Sequence, residues 1–143
     1  MRTLDALSLT ADTTTVNRAL NWLETLGEHQ GWPARTSFAL SLCLDETLTN
    51  IVTHGRKPDH SATQIDITAY QRENDIILQI TDNGPAFDPT LTDSPRLAES
   101  VDEAKIGGHG LRLMRHYLKD LQYSRDNDSN TLKLTAALLA GPN

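Results

Sequence analysis

The sequence predicts a two-layer α/β (α+β) sandwich, in which helices cover one face of a mixed, mostly antiparallel sheet. Segments with strand-like alternation and segments with helical periodicity follow one another in the order β-α-α-β-β-loop-α-β-β. The strand-like segments TQIDITAYQ and DIILQITD are joined by a short polar turn, which is typical of an antiparallel hairpin. A chain of 143 residues can bury one core but not two, so we expect residues 1–143 to form a single domain.

The first two elements are a strand and a helix. RTLDALSLTA alternates between apolar and polar residues, as a half-buried strand does. Asp12 and Thr13 offer caps for a helix with regularly spaced apolar residues. We expect this helix to end at Gly27 or near Gly31, because glycine readily adopts the conformation that terminates a helix.

A second helix follows, and Pro33 suits its first turn. Its apolar periodicity continues to Gly55, after which RKPDHS predicts a turn-rich loop. The hairpin described above comes next.

The last third of the chain begins with a long irregular segment. Between Asn83 and Gly110, apolar periodicity disappears and Gly, Pro, Asp and Ser dominate. Irregular loops of this length are uncommon inside a compact domain and are usually functional. LRLMRHYLKDLQY then predicts a helix, while LQYSRDN and TLKLTAALL predict a closing pair of strands.

Composition excludes several classes of protein. Hydrophobic residues make up 38% and charged residues 22%, and no stretch approaches the roughly 20 apolar residues that span a bilayer. A net charge of −6 argues against a nucleic-acid binder, which needs basic surface. MRTLDALSLT has no export signal, so we expect a cytoplasmic protein. The single cysteine, Cys43, lies among leucines and is expected to be a small buried apolar residue.

Three segments contain residues suited to chemistry, and the first is LCLDETLTNIVTHG in the second helix. Glu46 and Asn50 lie about 40° apart around the helix, at the rim of its apolar face. An ordinary polar flank would give the same pattern. The functional interpretation is a base and a magnesium ligand, because a carboxylate accepts protons and a carboxamide oxygen binds Mg²⁺.

The second segment is ITDNGPAFDP, where an apolar strand ends at Asp82 and Asn-Gly follows. Turn chemistry alone explains an acid before Asn-Gly. It does not explain why Asp88-Pro89 and a long irregular segment follow in place of a returning strand.

The third segment is KIGGHGLRLM, in which three glycines precede a helix. Glycines let backbone amides approach a ligand, and a helix N-terminus favours anions, so the junction is a candidate phosphate site. A flexible hinge would show the same residues. The glycines are Gly107, Gly108 and Gly110.

Taken together and in this order, DETLTN, DNGPAFDP and GGHGLRLM, with Thr131 in SNTLKL, resemble the N, G1 and G2 boxes of the GHKL ATPase superfamily, which has the Bergerat fold. The resemblance covers nearly the whole chain. Within the superfamily, the length and the form DNGPAFDP are most similar to bacterial anti-sigma-factor serine/threonine kinases, which hold a sigma factor and phosphorylate an anti-anti-sigma partner.

The resemblance implies roles for the helix residues. Asn50 would ligate the Mg²⁺ that bridges the nucleotide phosphates, and Glu46 would be the base that deprotonates the attacking hydroxyl. Asp45 points about 100° away from Glu46 and is expected to be solvated or structural.

The resemblance also implies an adenine pocket. Asp82 would accept a hydrogen bond from the adenine amino group, Gly84 would let the base approach, and Thr131 would support the same network. Residues 85–106 would form a lid, and Gly107, Gly108 and Gly110 would donate amides to the phosphates.

Other basic residues near the site have no single assignment. Arg96 or Lys105 in the lid would reach the γ-phosphate or remain solvated. Arg112 and Arg115 fit a solvated or partner-binding face.

The histidines are not expected to contact the nucleotide through their side chains. At His109, the backbone amide matters more than the side chain. Surface or cap positions are expected for His54 and His60, which lack metal-ligand spacing.

The function implied by the resemblance is an ATP-dependent protein serine/threonine kinase that acts on an anti-anti-sigma protein, binds a sigma factor and forms a homodimer. One alternative is an ATP-responsive anti-sigma binding module with little or no kinase activity. Another is a stand-alone histidine-kinase-like ATPase domain, although we expect no helical segment with a phosphoacceptor histidine in this chain.

Overall fold

The computed structural model describes residues 1–55, 57, 59, 61–91 and 110–138. Its elements, in chain order, are strand β1 (Arg2–Thr10), helix α1 (Thr15–Gln30), helix α2 (Ala34–His54), strand β2 (Gln64–Arg72), strand β3 (Asp75–Asp82), a 3₁₀ turn (Pro89–Leu91), helix α3 (Gly110–Tyr117), strand β4 (Asp120–Asp126) and strand β5 (Ser129–Ala137).

The strands form one five-stranded sheet in the order β1-β2-β3-β5-β4. Every pairing that the structure describes is antiparallel, and helices lie on one side of the sheet, which confirms the predicted α+β sandwich. The β2–β3 hairpin turns at Glu73, whose φ of 57° provides the left-handed conformation that tight hairpins need. Asn127, with φ 54°, does the same between β4 and β5.

Helix α1 ends at Gly31, the second of the two expected positions. Gly31 has φ 69°, and its amide donates to the carbonyls of the last turn. Gly27 is buried inside the helix, where a Cβ atom would lie 2.9 Å from the Trp32 ring. This glycine is therefore explained by close packing.

Helix α2 extends through the middle of the molecule, and Pro33 is its N-cap. Its inner face is apolar and packs on the sheet, because leucines recur at helical spacing. Fully buried side chains from both layers form the core: Leu23, Leu40, Leu44 and Leu48 from the helices, and Ile65, Ile67, Ile76, Leu78, Ile80 and Leu134 from the strands.

The third helix is shorter than the sequence predicts. It ends at Tyr117, and the amide of Lys119 donates to Thr135 of β5, which begins the pairing of β4. The residues LQY are therefore part of a strand. Strand propensity and pairing with β5 outweigh the apolar periodicity that continued the helix pattern.

Candidate active site

A cleft opens between the last turns of α2 and the adjoining ends of β3 and β5. The chain that follows β3 forms one wall of it. The lining residues are Thr47, Asn50, Ile51, His54, Gly55, Ile80, Asp82, Pro85, Phe87, Pro89, Tyr123, Asn130 and Leu132. Two residues predicted from separate segments, Asn50 and Asp82, thus line the same cleft.

Asp82 is the buried carboxylate of the cleft, with 6% of its surface exposed. Its Oδ1 atom accepts hydrogen bonds from the Gly84 amide at 2.9 Å and from Nδ2 of Asn130 at 3.0 Å. Among the described residues, no donor contacts Oδ2. A buried carboxylate with one oxygen saturated and one unused is suited to accept a hydrogen bond from a ligand.

Asn130 connects the elements around the cleft. Its Nδ2 group donates to Asp82 and, at 2.8 Å, to the carbonyl of Pro85. Its Oδ1 atom accepts from the Tyr123 hydroxyl and, at 3.4 Å, from the amide of Phe87. Only 5% of its surface is exposed, and the side chain joins β3, β4, β5 and the segment after β3 in one partly buried network.

Thr131, which the resemblance places in this network, lies on the other face of the sheet. Side chains alternate along a strand, and Asn130 and Leu132 both line the cleft. The Thr131 hydroxyl instead lies 3.2 Å from that of Thr81, its partner in β3. Asn130 therefore occupies the position predicted for Thr131, because the motif was placed one residue too far along the strand.

Gly84 is held by close packing of two backbone segments. A Cβ atom there would lie 2.9 Å from the carbonyl oxygen of Gly55 and 3.1 Å from Oδ1 of Asp82. The Gly84 carbonyl accepts a hydrogen bond of 2.8 Å from Arg125. Glycine at this position lets the chain after β3 pass against the end of α2, and this contact shapes the cleft.

Glu46 and Asn50 project from α2 one turn apart, as expected. Asn50 lines the cleft and is half-buried, whereas Glu46 is half-buried and does not line the cleft.

Burial and the nearby Glu46 carboxylate raise the pKa of the Cys43 thiol to about 12. Cys43 is fully buried, as predicted, and the neighbouring Asp45 is exposed.

The phosphate-binding prediction is only partly within the described residues. Gly110 is the first residue of α3. Gly107, Gly108, His109, Arg96, Lys105, His60 and lid residues 92–106 lie outside the described part of the chain. Arg112 and Arg115 are exposed on α3, consistent with a solvated or partner-binding face.

His54 has a contact that its sequence context does not predict. The side chain is exposed, yet its ring stacks on Phe87 with centroids 5.2 Å apart and an interplanar angle of 18°. Both residues line the cleft, so the stack links the last turn of α2 to the segment after β3.

Sequence reasoning missed Asn130 and Tyr123 as site residues. The alternation of TLKL gives a signal for Asn130, because residue 130 is in phase with Leu132 and Leu134. A polar residue at the cleft end of an apolar strand face is a candidate for a buried contact. No comparable signal exists for Tyr123, because its contact with Asn130 depends on the register in which β4 pairs with β5.

The described residues contain no group of three or more His, Cys, Asp or Glu side chains that would hold a metal ion. Nor does any helix in the described ranges have the length and apolar character needed to cross a membrane.

The fold and sequence have known relatives. Residues 9–136 match the family described as the histidine kinase-like ATPase domain. The chain is 48% identical to the serine/threonine-protein kinase BtrW of Bordetella bronchiseptica over 132 residues, which cover 92% of each chain. This similarity confirms the predicted enzyme class, a protein serine/threonine kinase.

Solved structures agree on the fold at low sequence identity. The RsbU and RsbW domains of Rv1364c from Mycobacterium tuberculosis match with a TM-score of 0.67 and 15% identity, over 94% of this chain and 32% of that one. The histidine kinase domain from Erythrobacter litoralis EL346 matches with a TM-score of 0.54 and 15% identity, over 86% and 59% of the two chains. The catalytic domain of the histidine kinase ThkA matches with a TM-score of 0.53 and 11% identity, over 94% of this chain and 96% of that one.

The family match over most of the chain agrees with the resemblance inferred from the three segments, and the protein belongs to the histidine kinase-like ATPase domain family.

Proposed function

We propose that residues 1–143 form one ATP-binding kinase domain of the anti-sigma-factor type, which phosphorylates an anti-anti-sigma partner and binds a sigma factor. The observation that carries the proposal is the Asp82 carboxylate, buried in the cleft with Oδ2 unused among the described residues. The similarity to a serine/threonine-protein kinase over most of both chains supports the reaction type.

Asp82 recognises the adenine base. The exocyclic amino group donates to Oδ2, while Gly84 and Asn130 hold Oδ1. Guanine would present a carbonyl oxygen at the same position, and two acceptors facing each other in a buried site are unfavourable. The pocket therefore selects ATP over GTP.

Asn50 would hold a magnesium ion together with the nucleotide. Its side chain lines the cleft and has no hydrogen-bond partner among the described residues, so its amide oxygen is available as a ligand. Mg²⁺ is commonly bound by one or two protein oxygens plus phosphates and water, which fits a site where the described residues contain no acidic cluster. The ion would neutralise charge on the phosphates during transfer.

Glu46 is the general base. It orients the partner's serine or threonine hydroxyl and removes its proton as the γ-phosphoryl group is transferred. The amide of Gly110 at the start of α3, with those of Gly107 and Gly108, holds the phosphates, because a helix N-terminus favours anions. Residues 85–106 form the lid that excludes water from the reaction.

The proposed partners are an anti-anti-sigma protein as substrate and a sigma factor as bound target. The name of the relative, a serine/threonine-protein kinase, supports a protein substrate. We include in the proposal a homodimer, which the same resemblance implies, and the cytoplasmic location expected from the sequence.

The test is phosphorylation in vitro. Purified protein is incubated with γ-labelled ATP, Mg²⁺ and the anti-anti-sigma proteins encoded in the same genome. The proposal expects label on a serine or threonine of one of them, dependent on Glu46. Nucleotide binding with no transfer to any of them would contradict the kinase function and favour a binding module.

A further inference from the structure

The Tyr123 hydroxyl occupies a position in the cleft that the proposed function does not use. Tyr123 lies opposite Leu132 in the β4–β5 pairing, so both side chains point to the helix-covered face of the sheet. Its hydroxyl donates to Oδ1 of Asn130. Tyr123 thus reaches Asp82 through one intervening side chain, without contacting the carboxylate.

The contacts of Asn130 account for its full hydrogen-bonding capacity. A carboxamide has two N–H donors and two acceptor sites. Both donors are used, on Asp82 at 3.0 Å and on Pro85 at 2.8 Å. Of the two bonds that Oδ1 accepts, the one from Phe87 is long at 3.4 Å, so the tyrosine hydroxyl is the main partner of this oxygen.

This arrangement fixes which end of the amide faces the carboxylate. With Oδ1 held by the phenol, the NH₂ group points to Asp82 and saturates its Oδ1 atom. Removing the phenol would leave a buried acceptor with only a long contact, and chains of hydrogen bonds strengthen one another. The amide would then hold Asp82 less firmly.

The state of the phenol is consistent with a donor role. Burial raises the pKa of the Tyr123 hydroxyl. The negative charges of Asp88 and Asp82 add to this effect, and the positive charge of Arg125 opposes it. The proton that bonds Asn130 is therefore retained throughout the neutral range.

We propose that Tyr123 is a positioning residue for nucleotide specificity. It orients Asn130, which commits one oxygen of Asp82 to the protein and leaves the other to accept the amino group of the base. The inference rests on the proposed function, because it assumes that adenine binds at Asp82.

The experiment removes one atom from the protein and one group from the ligand. Wild type and Tyr123→Phe are titrated with ATP and with purine riboside triphosphate, which lacks the exocyclic amino group. Wild type should bind ATP more tightly than the analogue. In Tyr123→Phe the ratio of the two affinities should fall by about threefold to tenfold, mainly through weaker ATP binding.

Two further variants separate positioning from general packing. Tyr70→Phe removes a phenol hydroxyl from β2, on the opposite face of the sheet, and should leave the ratio unchanged. Asn130→Ala should lower the ratio by itself, and adding Tyr123→Phe to it should produce no further change, because the two residues act in series.

The outcomes distinguish this inference from the function on which it rests. If wild type binds ATP and the analogue equally, the adenine pocket at Asp82 is wrong and the inference falls with it. If wild type prefers ATP and Tyr123→Phe keeps the full preference, the pocket stands and the role of Tyr123 is refuted. An additive effect of Tyr123→Phe in the Asn130→Ala background would also refute it.

Discussion

Asn130 donates a hydrogen bond of 3.0 Å to Oδ1 of Asp82, its direct partner across the β3–β5 ladder. Because the pair is buried and register fixes it, Oδ2, to which no described residue donates a hydrogen bond, has a defined position in the cleft. Ligand selection in the proposed pocket depends on this contact.

Asp82→Asn should weaken ATP binding and reduce the preference for ATP over GTP. The variant replaces an acceptor with an amide that can donate to a guanine carbonyl. Loss of a hydrogen bond to a charged group lowers affinity by about 10-fold to 100-fold. Calorimetric titration with both nucleotides measures the change. Asp45→Asn, on the exposed side of α2, is the matched control, and equal ATP affinity in a folded Asp82→Asn protein would rule out the pocket.

Glu46→Gln should lower the rate of transfer strongly while leaving ATP binding intact. The amide keeps the size of the side chain but cannot accept a proton, and general-base catalysis contributes about 10²-fold to 10⁴-fold. Labelled-phosphate transfer and calorimetry report the two properties separately. Asp45→Asn changes the adjacent carboxylate and should retain activity. Normal transfer by Glu46→Gln would remove Glu46 from the mechanism.

Gly84→Ala should destabilise the fold and weaken ATP binding together. The added Cβ atom would lie 2.9 Å from the Gly55 carbonyl, and overpacking of this kind lowers the free energy of unfolding by about 1–3 kcal/mol. Chemical denaturation and ATP titration measure both effects. Gly31→Ala is the control: its φ of 69° makes alanine unfavourable, but no atom lies within 4 Å and the cleft is distant, so only stability should change. Unchanged stability in Gly84→Ala would contradict the described packing.

Cys43 should resist alkylation in the folded protein. Burial and the charge of Glu46 raise the pKa of its thiol to about 12, so the thiol stays protonated as the pH rises through 8 and 9. An ordinary thiol, with a pKa of about 8.5, becomes largely thiolate in that range. Iodoacetamide labelling followed by mass spectrometry should be slow without denaturant and rapid in urea. Fast labelling of native protein at pH 8 would show that the thiol is accessible and ionised.

Periodicity and turn residues were sufficient to predict the layers and the hairpin, whereas the shared location of Asn50 and Asp82 was implied by the family resemblance. Periodicity reports which face of an element is buried, and glycine marks where Gly31 and Gly55 end the helices. These features are local in the chain. They were predicted correctly because local preference and final packing agree.

The contacts made through strand register were not predictable in the same way. Thr131 was predicted at the position that Asn130 occupies, because the motif alone does not fix a one-residue shift, and such a shift exchanges the faces of a strand. Tyr123 reaches the site only through pairing with β5. The early end of α3 likewise depends on the pairing of β4, which overrides helical periodicity.

The most direct test of the account is calorimetric titration of the purified protein with ATP and with GTP, each in Mg²⁺ and in EDTA. The proposed pocket predicts binding that requires Mg²⁺ and prefers ATP, since Asn50 needs the ion and Asp82 needs the amino group. Binding of neither nucleotide, or equal binding of both, would contradict it.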